Sequence, residues 1–232
     1  VLRDRTRVRG ALLRVIDRSL ARRATAEAVG SALLVAIVVG SGISAQRLSP
    51  NDVGLVALIL AFGPVSGAHF NPVVTLVDWL LGGITAYAAA VYAGAQIVGC
   101  CIGAVVANLM FELGAVNLST HTRSSHGLWL GEFVATFGLL LVVFGIARSG
   151  RAVLAPFAVG GYIASAYWYT SSTSFANPAV TVARMLSDTF AGIRPSSVPA
   201  FLVAQIVAAL CAVALVRFLH PGVAAVARAS SS

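Results

Sequence analysis

The sequence predicts an all-α membrane protein with six transmembrane helices and two re-entrant half-helices, arranged as an inverted repeat. Three observations predict it. The chain of 232 residues is 58% hydrophobic and 10% charged, with a mean hydropathy of +0.89, far from the soluble average. Its apolar residues come in blocks close to the roughly 20 residues a helix needs to cross a bilayer. Finally, three segments of the first half recur in the same order in the second. A soluble α protein with an apolar core is the alternative, and this composition disfavours it.

The first element is an Arg-rich arm, residues 1–23. All 16 basic residues of the chain are Arg, and eight of them lie in this arm. Arg clusters also mark nucleic-acid binders. Placed directly before an apolar span, this one reads instead as a cytoplasmic topology signal, and no nucleic-acid partner is expected. The arm is either an amphipathic helix or a disordered segment. The Arg-rich start followed by apolar residues 28–44 resembles a signal peptide superficially. The apolar run continues without a small-residue cleavage pattern behind it, so it is expected to be a retained first helix.

The long apolar segments fall at about 25–45, 52–66, 84–110, 128–147, 152–170 and 197–219. Two shorter ones, about 71–82 and 177–187, begin at Asn-Pro pairs and are too short to cross a bilayer alone. AEAVGSALLV at 26–35 is answered by GEFVATFGLLLV at 131–142, and HFNPVVTLVDWL at 69–80 by FANPAVTVARML at 175–186. AGAQIVGCCIGAVV at 93–106 is answered by LVAQIVAALCAVAL at 202–215. Glu27 precedes Asn71 by 44 residues and Glu132 precedes Asn177 by 45, so the matches share a nearly constant offset, the mark of a duplication. The repeats span about 24–110 and 128–220 within a single channel domain, 24–220, followed by a tail, 221–232.

Each half carries three spans, so the second half is inverted relative to the first. Twelve Arg fall on the side of both termini and four on the other, which places both termini in the cytoplasm of a multi-pass protein of the cell's inner (plasma) membrane.

The paired Asn-Pro motifs carry the functional expectation. Asn at an N-cap followed by Pro at the first helical position is a strong helix start. Two such starts at matched positions in inverted halves would lie near the bilayer centre, where free N–H groups are tolerated only if buried in protein or lining a watery path. If each Asn oxygen caps its own helix, its amide NH2 still has donors to offer. Together with two positive helix ends, these donors suit a passing oxygen atom and repel cations, protons included. The residues themselves therefore point to a channel for small neutral molecules.

The chain resembles the aquaporin, or major intrinsic protein, family from about 24 to 220. The resemblance rests on SGAHFNPVVT and FANPAVT, on AEAVGS and GEFVAT opening the halves, and on Gln96 and Gln205. It implies a homotetramer in the bilayer with one pore per subunit, conducting water and small neutral solutes, without cofactor or enzymatic activity. The pore motifs would be Asn71, Pro72 and Val73 with Asn177, Pro178 and Ala179.

Three departures from the family pattern stand out. Val73 replaces the usual Ala of the first motif, and a small repacking is expected. Val180 stands where water-selective members carry Arg. With Ser174 and Ser165 at the other filter positions of an ungapped alignment, the constriction is expected to be wide and poor in donors. That pattern resembles bacterial aquaglyceroporins of the arsenic-resistance type, which implies glycerol-like solutes or metalloid hydroxides such as arsenite. Span 2 is short: Asn51 to Val65 is 15 residues, roughly 22 Å of helix against a core of about 30 Å. The filter residue from this span would fall near Asn51. A non-conducting or impaired protein is therefore an alternative reading.

Arg184 lies one turn beyond Val180. It either leans back to replace the missing Arg in part, or snorkels to the outer mouth or pairs with a neighbour. The hydroxyls of YTSSTS, 169–174, either line the outer vestibule or satisfy their own loop. Glu27 and Glu132 inside spans 1 and 4 are either proton sites of a coupled transporter or, as the family implies, braces for the half-helix loops. His69 either lines the inner pore or packs as a satisfied histidine. Cys100, Cys101 and Cys211 lie in apolar spans without metal-ligand spacing and read as small buried hydrophobes. No metal site, nucleophile–base pair or phosphate loop is legible.

Overall fold

The structure is a computed structural model that describes residues 20–36, 38–39 and 53–220. The expectations for the remainder of the N-terminal arm, for the filter position near Asn51 and for the tail lie outside the described residues.

Helix α1 covers 20–36 and continues at 38–39. It is followed by α2 (Val53–Ser66), the half-helix α3 (Pro72–Leu80), α4 (Ala86–Met110), α5 (His126–Arg148), α6 (Ala155–Tyr169), the half-helix α7 (Pro178–Ala183) and α8 (Val198–Leu219). Short 3-10 turns precede α6 at Ala152–Leu154, extend α7 at Arg184–Leu186 and lead into α8 at Pro195–Ser197. The described residues contain no strand. Helices α4 and α5 and the stretch Pro195–Leu219 are long and apolar enough to cross a membrane. Helix α2 has 14 residues, about 21 Å of rise, and carries Pro64 three residues before its last hydrogen-bonded turn closes on Gly67.

The helix starts follow from their caps. Asn71 and Asn177 are in extended backbone, and each accepts on its side-chain oxygen from the first free N–H groups: Val73 at 3.0 Å, and Ala179 and Val180 at 3.0 and 3.2 Å. Pro72 and Pro178 follow at the position where no N–H is needed. Thr85 and Ser125 cap α4 and α5 in the same way.

Each half-helix packs chiefly on the long helices of the opposite half. Val73, Val74 and Val77 of α3 share a buried cluster with Leu140 and Phe144 of α5 and Ala209, Ala212 and Val216 of α8. Ala179, Val180 and Ala183 of α7 share another with Val35 and Val39 of α1 and Cys100, Ala104 and Ala107 of α4. Val73 is therefore core, fully buried beside helices of the second repeat.

Helix α4 lies against α1 at backbone distance. A Cβ at Gly99 would run into the Ala28 carbonyl, and one at Gly103 into the Ala32 carbonyl. Two glycines four apart thus meet two carbonyls four apart, the close approach that small residues permit between membrane helices. The second repeat places the fully buried Ala208 and Ala212 of α8 at the matching positions. Large apolar side chains of α4, α6 and α8, among them Val98, Ile102, Trp168, Val203 and Leu210, face outward, as apolar surroundings require.

Candidate functional site

The two loops that precede the half-helices share a strained backbone. Gly67, Ala68 and Phe70 have φ of 86°, 48° and 48°, and Thr173, Ser174 and Ala176 have φ of 60°, 47° and 47°. These are the same three places before each Asn. Left-handed backbone costs a non-glycine residue of order 1 kcal/mol and persists only where its surroundings hold it.

Buried carboxylates hold both loops. Glu27 accepts from the backbone N–H of His69 at 3.1 Å and of Phe70 at 2.8 Å, and from Gln96 Nε2 at 2.7 Å. Glu132 accepts from the N–H of Phe175 at 3.2 Å, from that of Ala176, and from Gln205 Nε2 at 2.7 Å. The same Gln amides donate to Thr75 Oγ1 at 3.0 Å and Thr181 Oγ1 at 2.8 Å in the half-helices. Both Glu and both Gln are fully buried. A buried carboxylate needs this many donors to offset its lost hydration. Each carboxylate is thus bonded to the loop before its half-helix and to a Gln, and Thr75 and Thr181 are the partners that motif reading missed. Their signal was present in the repeat itself, as the Thr of NPVVT and NPAVT.

The two Asn residues cross between the halves. Asn71 Nδ2 donates to the Ala176 carbonyl at 2.7 Å, and Asn177 Nδ2 donates to the Phe70 carbonyl at 2.8 Å. One amide hydrogen of each pair is therefore spent on the opposite loop rather than offered to a passing solute, and one remains. Both Asn line a single cavity of about 570 Å³. His69, Phe70 and Asp78 line it from the first half, and Ser174, Val180 and Arg184 from the second.

At the Asp78 end, His69 Nδ1 is 3.1 Å from Thr75 Oγ1 and its Nε2 is 3.7 Å from Asp78. His69 is therefore both a cavity-lining and a hydrogen-bonded histidine. At the other end Val180 presents methyl groups, and Ser174 encloses a hydroxyl that has no partner among the described residues. Ser165, expected at the constriction, is not on this wall. It is exposed, and its hydroxyl donates to the Gly161 carbonyl at 2.9 Å. Ile163 and Tyr167 line the cavity instead. Ser165 is two residues from each, roughly 200° round the helix.

Arg184 does not snorkel. It is 3% exposed, lines the cavity, donates from Nε to the Ala191 carbonyl, and lays its guanidinium 3.4 Å from the centroid of the Phe175 ring. The surrounding loops are tied down. Ile193 N–H donates to the Arg184 carbonyl at 3.3 Å, Asn117 and Ser119 N–H donate to Leu186 and Met185 carbonyls, and Asn108 Nδ2 donates to Leu186 at 2.8 Å. Arg123 also lies over Phe175, at 5.1 Å, but its Nε and Nη2 go to the carbonyls of Gly192 and Phe190. In the YTSSTS loop, Thr170 and Ser171 donate to the carbonyls of Ala166 and Gly127, and Ser172 accepts from the N–H of Ser174. Thr170 and Ser172 thus satisfy local backbone, Ser171 ties the loop to α5, and Thr173 lines the cavity.

Comparison with known proteins agrees with this architecture. The profile described as Major intrinsic protein matches residues 15–174. The chain is 46% identical over 212 residues to "Aquaglyceroporin AqpS" of Rhizobium meliloti (strain 1021), covering 86% of this chain and 91% of that protein. It is 28% identical to "Probable aquaporin AqpM" of Archaeoglobus fulgidus, across 87% of this chain and 98% of that one. It is 32% identical to "Aquaporin NIP3-1" of Oryza sativa subsp. japonica, across 63% of this chain and 52% of that one.

Proposed function

The chain belongs to the major intrinsic protein family, and on that premise we propose that it is a passive channel for water and small uncharged solutes, with glycerol-like molecules and metalloid hydroxides such as arsenite as the solute class. The observation that carries this is the wall of the cavity around Val180. Apolar methyl groups stand there beside an enclosed Ser174 hydroxyl, and both capped half-helices open onto the same space. At Val180 the wall offers methyl groups in place of a bulky donor, which leaves room there for a solute larger than water.

In this reading the Arg184 end is the outer mouth and the Asp78 end the inner one, with both termini in the cytoplasm of the plasma membrane. The spare amide hydrogen of Asn71 and of Asn177 orients the oxygen of the solute, and the positive ends of α3 and α7 oppose cations. Four chains assemble, each with its own pore. The resemblance to a relative named as an aquaglyceroporin supports the solute class. A coupled-transporter reading draws no support from Glu27 and Glu132, because each already accepts three N–H donors.

The test is light-scattering kinetics on proteoliposomes, comparing osmotic water flow with glycerol and arsenite entry. Entry of both solutes well above empty liposomes, independent of a proton gradient, is expected. No solute flux from folded protein would overturn the proposal in favour of a non-conducting member of the family with a short α2.

A further inference from the structure

We propose that Arg184 adds a side-chain cation barrier to the one at the half-helix ends, and that this charge selection is separated from size selection, which stays at Val180. This inference rests on the channel reading above.

Arg184 follows Val180 by four residues on the same half-helix and its 3-10 extension, about 6 Å further along the axis. It remains on the cavity wall, 3% exposed. Its placement is built rather than incidental. The Ala191 carbonyl takes its Nε, the Phe175 ring supports the guanidinium plane at 3.4 Å, and the Ile193 N–H holds its carbonyl. Phe175 is in turn fixed by its own N–H on Glu132.

Two further facts make this cation available to the lumen. Among the described residues no carboxylate lies within ion-pairing distance of it. Neither Nη group has a hydrogen-bond partner among the described residues. Arg123, the neighbouring cation, has committed its Nε and Nη2 to loop carbonyls. A guanidinium on an enclosed wall, with no ion pair among the described residues, keeps much of its field, because little water screens it. It opposes hydronium and metal cations, while uncharged solutes pass both it and Val180.

The separation is what the test exploits. In proteoliposomes, water flow, glycerol entry and proton leak under an imposed potential are measured for the wild-type chain, Arg184→Gln, Arg184→Lys and Val180→Asp. Val180→Asp neutralises the guanidinium from one turn away while leaving its contacts with Phe175 and Ala191 in place. Proton leak is expected to rise about tenfold in Arg184→Gln and in Val180→Asp, with the glycerol-to-water ratio moving less in Arg184→Gln than in Val180→Asp and with Arg184→Lys tight. Water flow reports whether each variant is folded. A water-conducting Arg184→Gln or Val180→Asp with wild-type leak overturns the inference, as does a leak that Arg184→Lys fails to suppress. A wild-type protein without solute flux refutes the channel reading itself, and that result is visible before any variant is compared.

Discussion

Asn71 donates its Nδ2 to the carbonyl of Ala176 at 2.7 Å, joining residues 105 positions apart. Asn177 returns the bond to Phe70 at 2.8 Å. Each Asn therefore caps its own half-helix and clasps the loop of the other repeat. Asn71→Ala is expected to cost about 1–3 kcal/mol, since it leaves both a half-helix N–H and a buried carbonyl without a partner. Asn177→Ala should cost the same. The double variant should lose less than the sum, because the two clasps share one centre. Thermal unfolding in detergent checks all three, and strict additivity would count against the shared centre.

Glu132→Gln replaces an acceptor of three N–H donors by a group that carries donors of its own. The expected loss is about 3 kcal/mol, the range for breaking a buried hydrogen-bonded charge, with the same direction for Glu27→Gln. Water flow should fall with the folded fraction and show no new dependence on a proton gradient. Undiminished thermal stability in both variants would remove the bracing role.

Gly103→Leu should prevent α4 from closing on α1, because even a Cβ there meets the Ala32 carbonyl. A loss of about 3 kcal/mol or more is expected, with Gly103→Ala milder and of the same sign. Gly94→Ala is the control on the same helix, where an added Cβ meets nothing. The comparison is the melting temperature of the three variants at one detergent concentration.

Val180→Arg should suppress glycerol entry more than water flow, because it inserts a bulky donor group into an apolar wall. The ratio of the two rates in proteoliposomes is the measurement, and equal loss of both would detach size selection from this position.

Asp188 lies in the loop beyond α7, outside the spans. It accepts from the N–H and hydroxyl of Thr120 at 2.8 and 3.1 Å, and the backbone bond from Thr120 leads in holding its carboxyl below the ordinary value. A carboxyl depressed in the folded protein stabilises above its unfolded pKa, about 3.9, and loses that contribution as pH falls through the folded value. Asp188→Asn should therefore lower the melting temperature slightly at pH 7, and the gap should close below about pH 4. A gap independent of pH would mean that the charge plays no part.

Much of the fold was legible because a bilayer leaves few choices. The half-helices could be placed to within a few residues, since Asn-Pro states where a helix must begin and their lengths exclude a full crossing. The constriction was less legible. Ser165 was reached by an ungapped alignment, whereas the residues of α6 that line the cavity include Ile163 and Tyr167. Counting registers sequence distance, whereas facing depends on where the helix ends and how the loop is tied.

The sequence by itself determined the all-helical class, the duplication, the capped half-helices and the carboxylates that serve them, because each follows from local hydrogen-bond demand in an apolar medium. Tertiary structure decided which residues share a wall. It set the Asn71–Ala176 and Asn177–Phe70 clasps, the seat of Gly99 and Gly103 on two carbonyls, and the laying of Arg184 against Phe175 rather than at a water interface. Those contacts join residues far apart in the chain, and only the packing of one repeat into the other brings them within bonding distance.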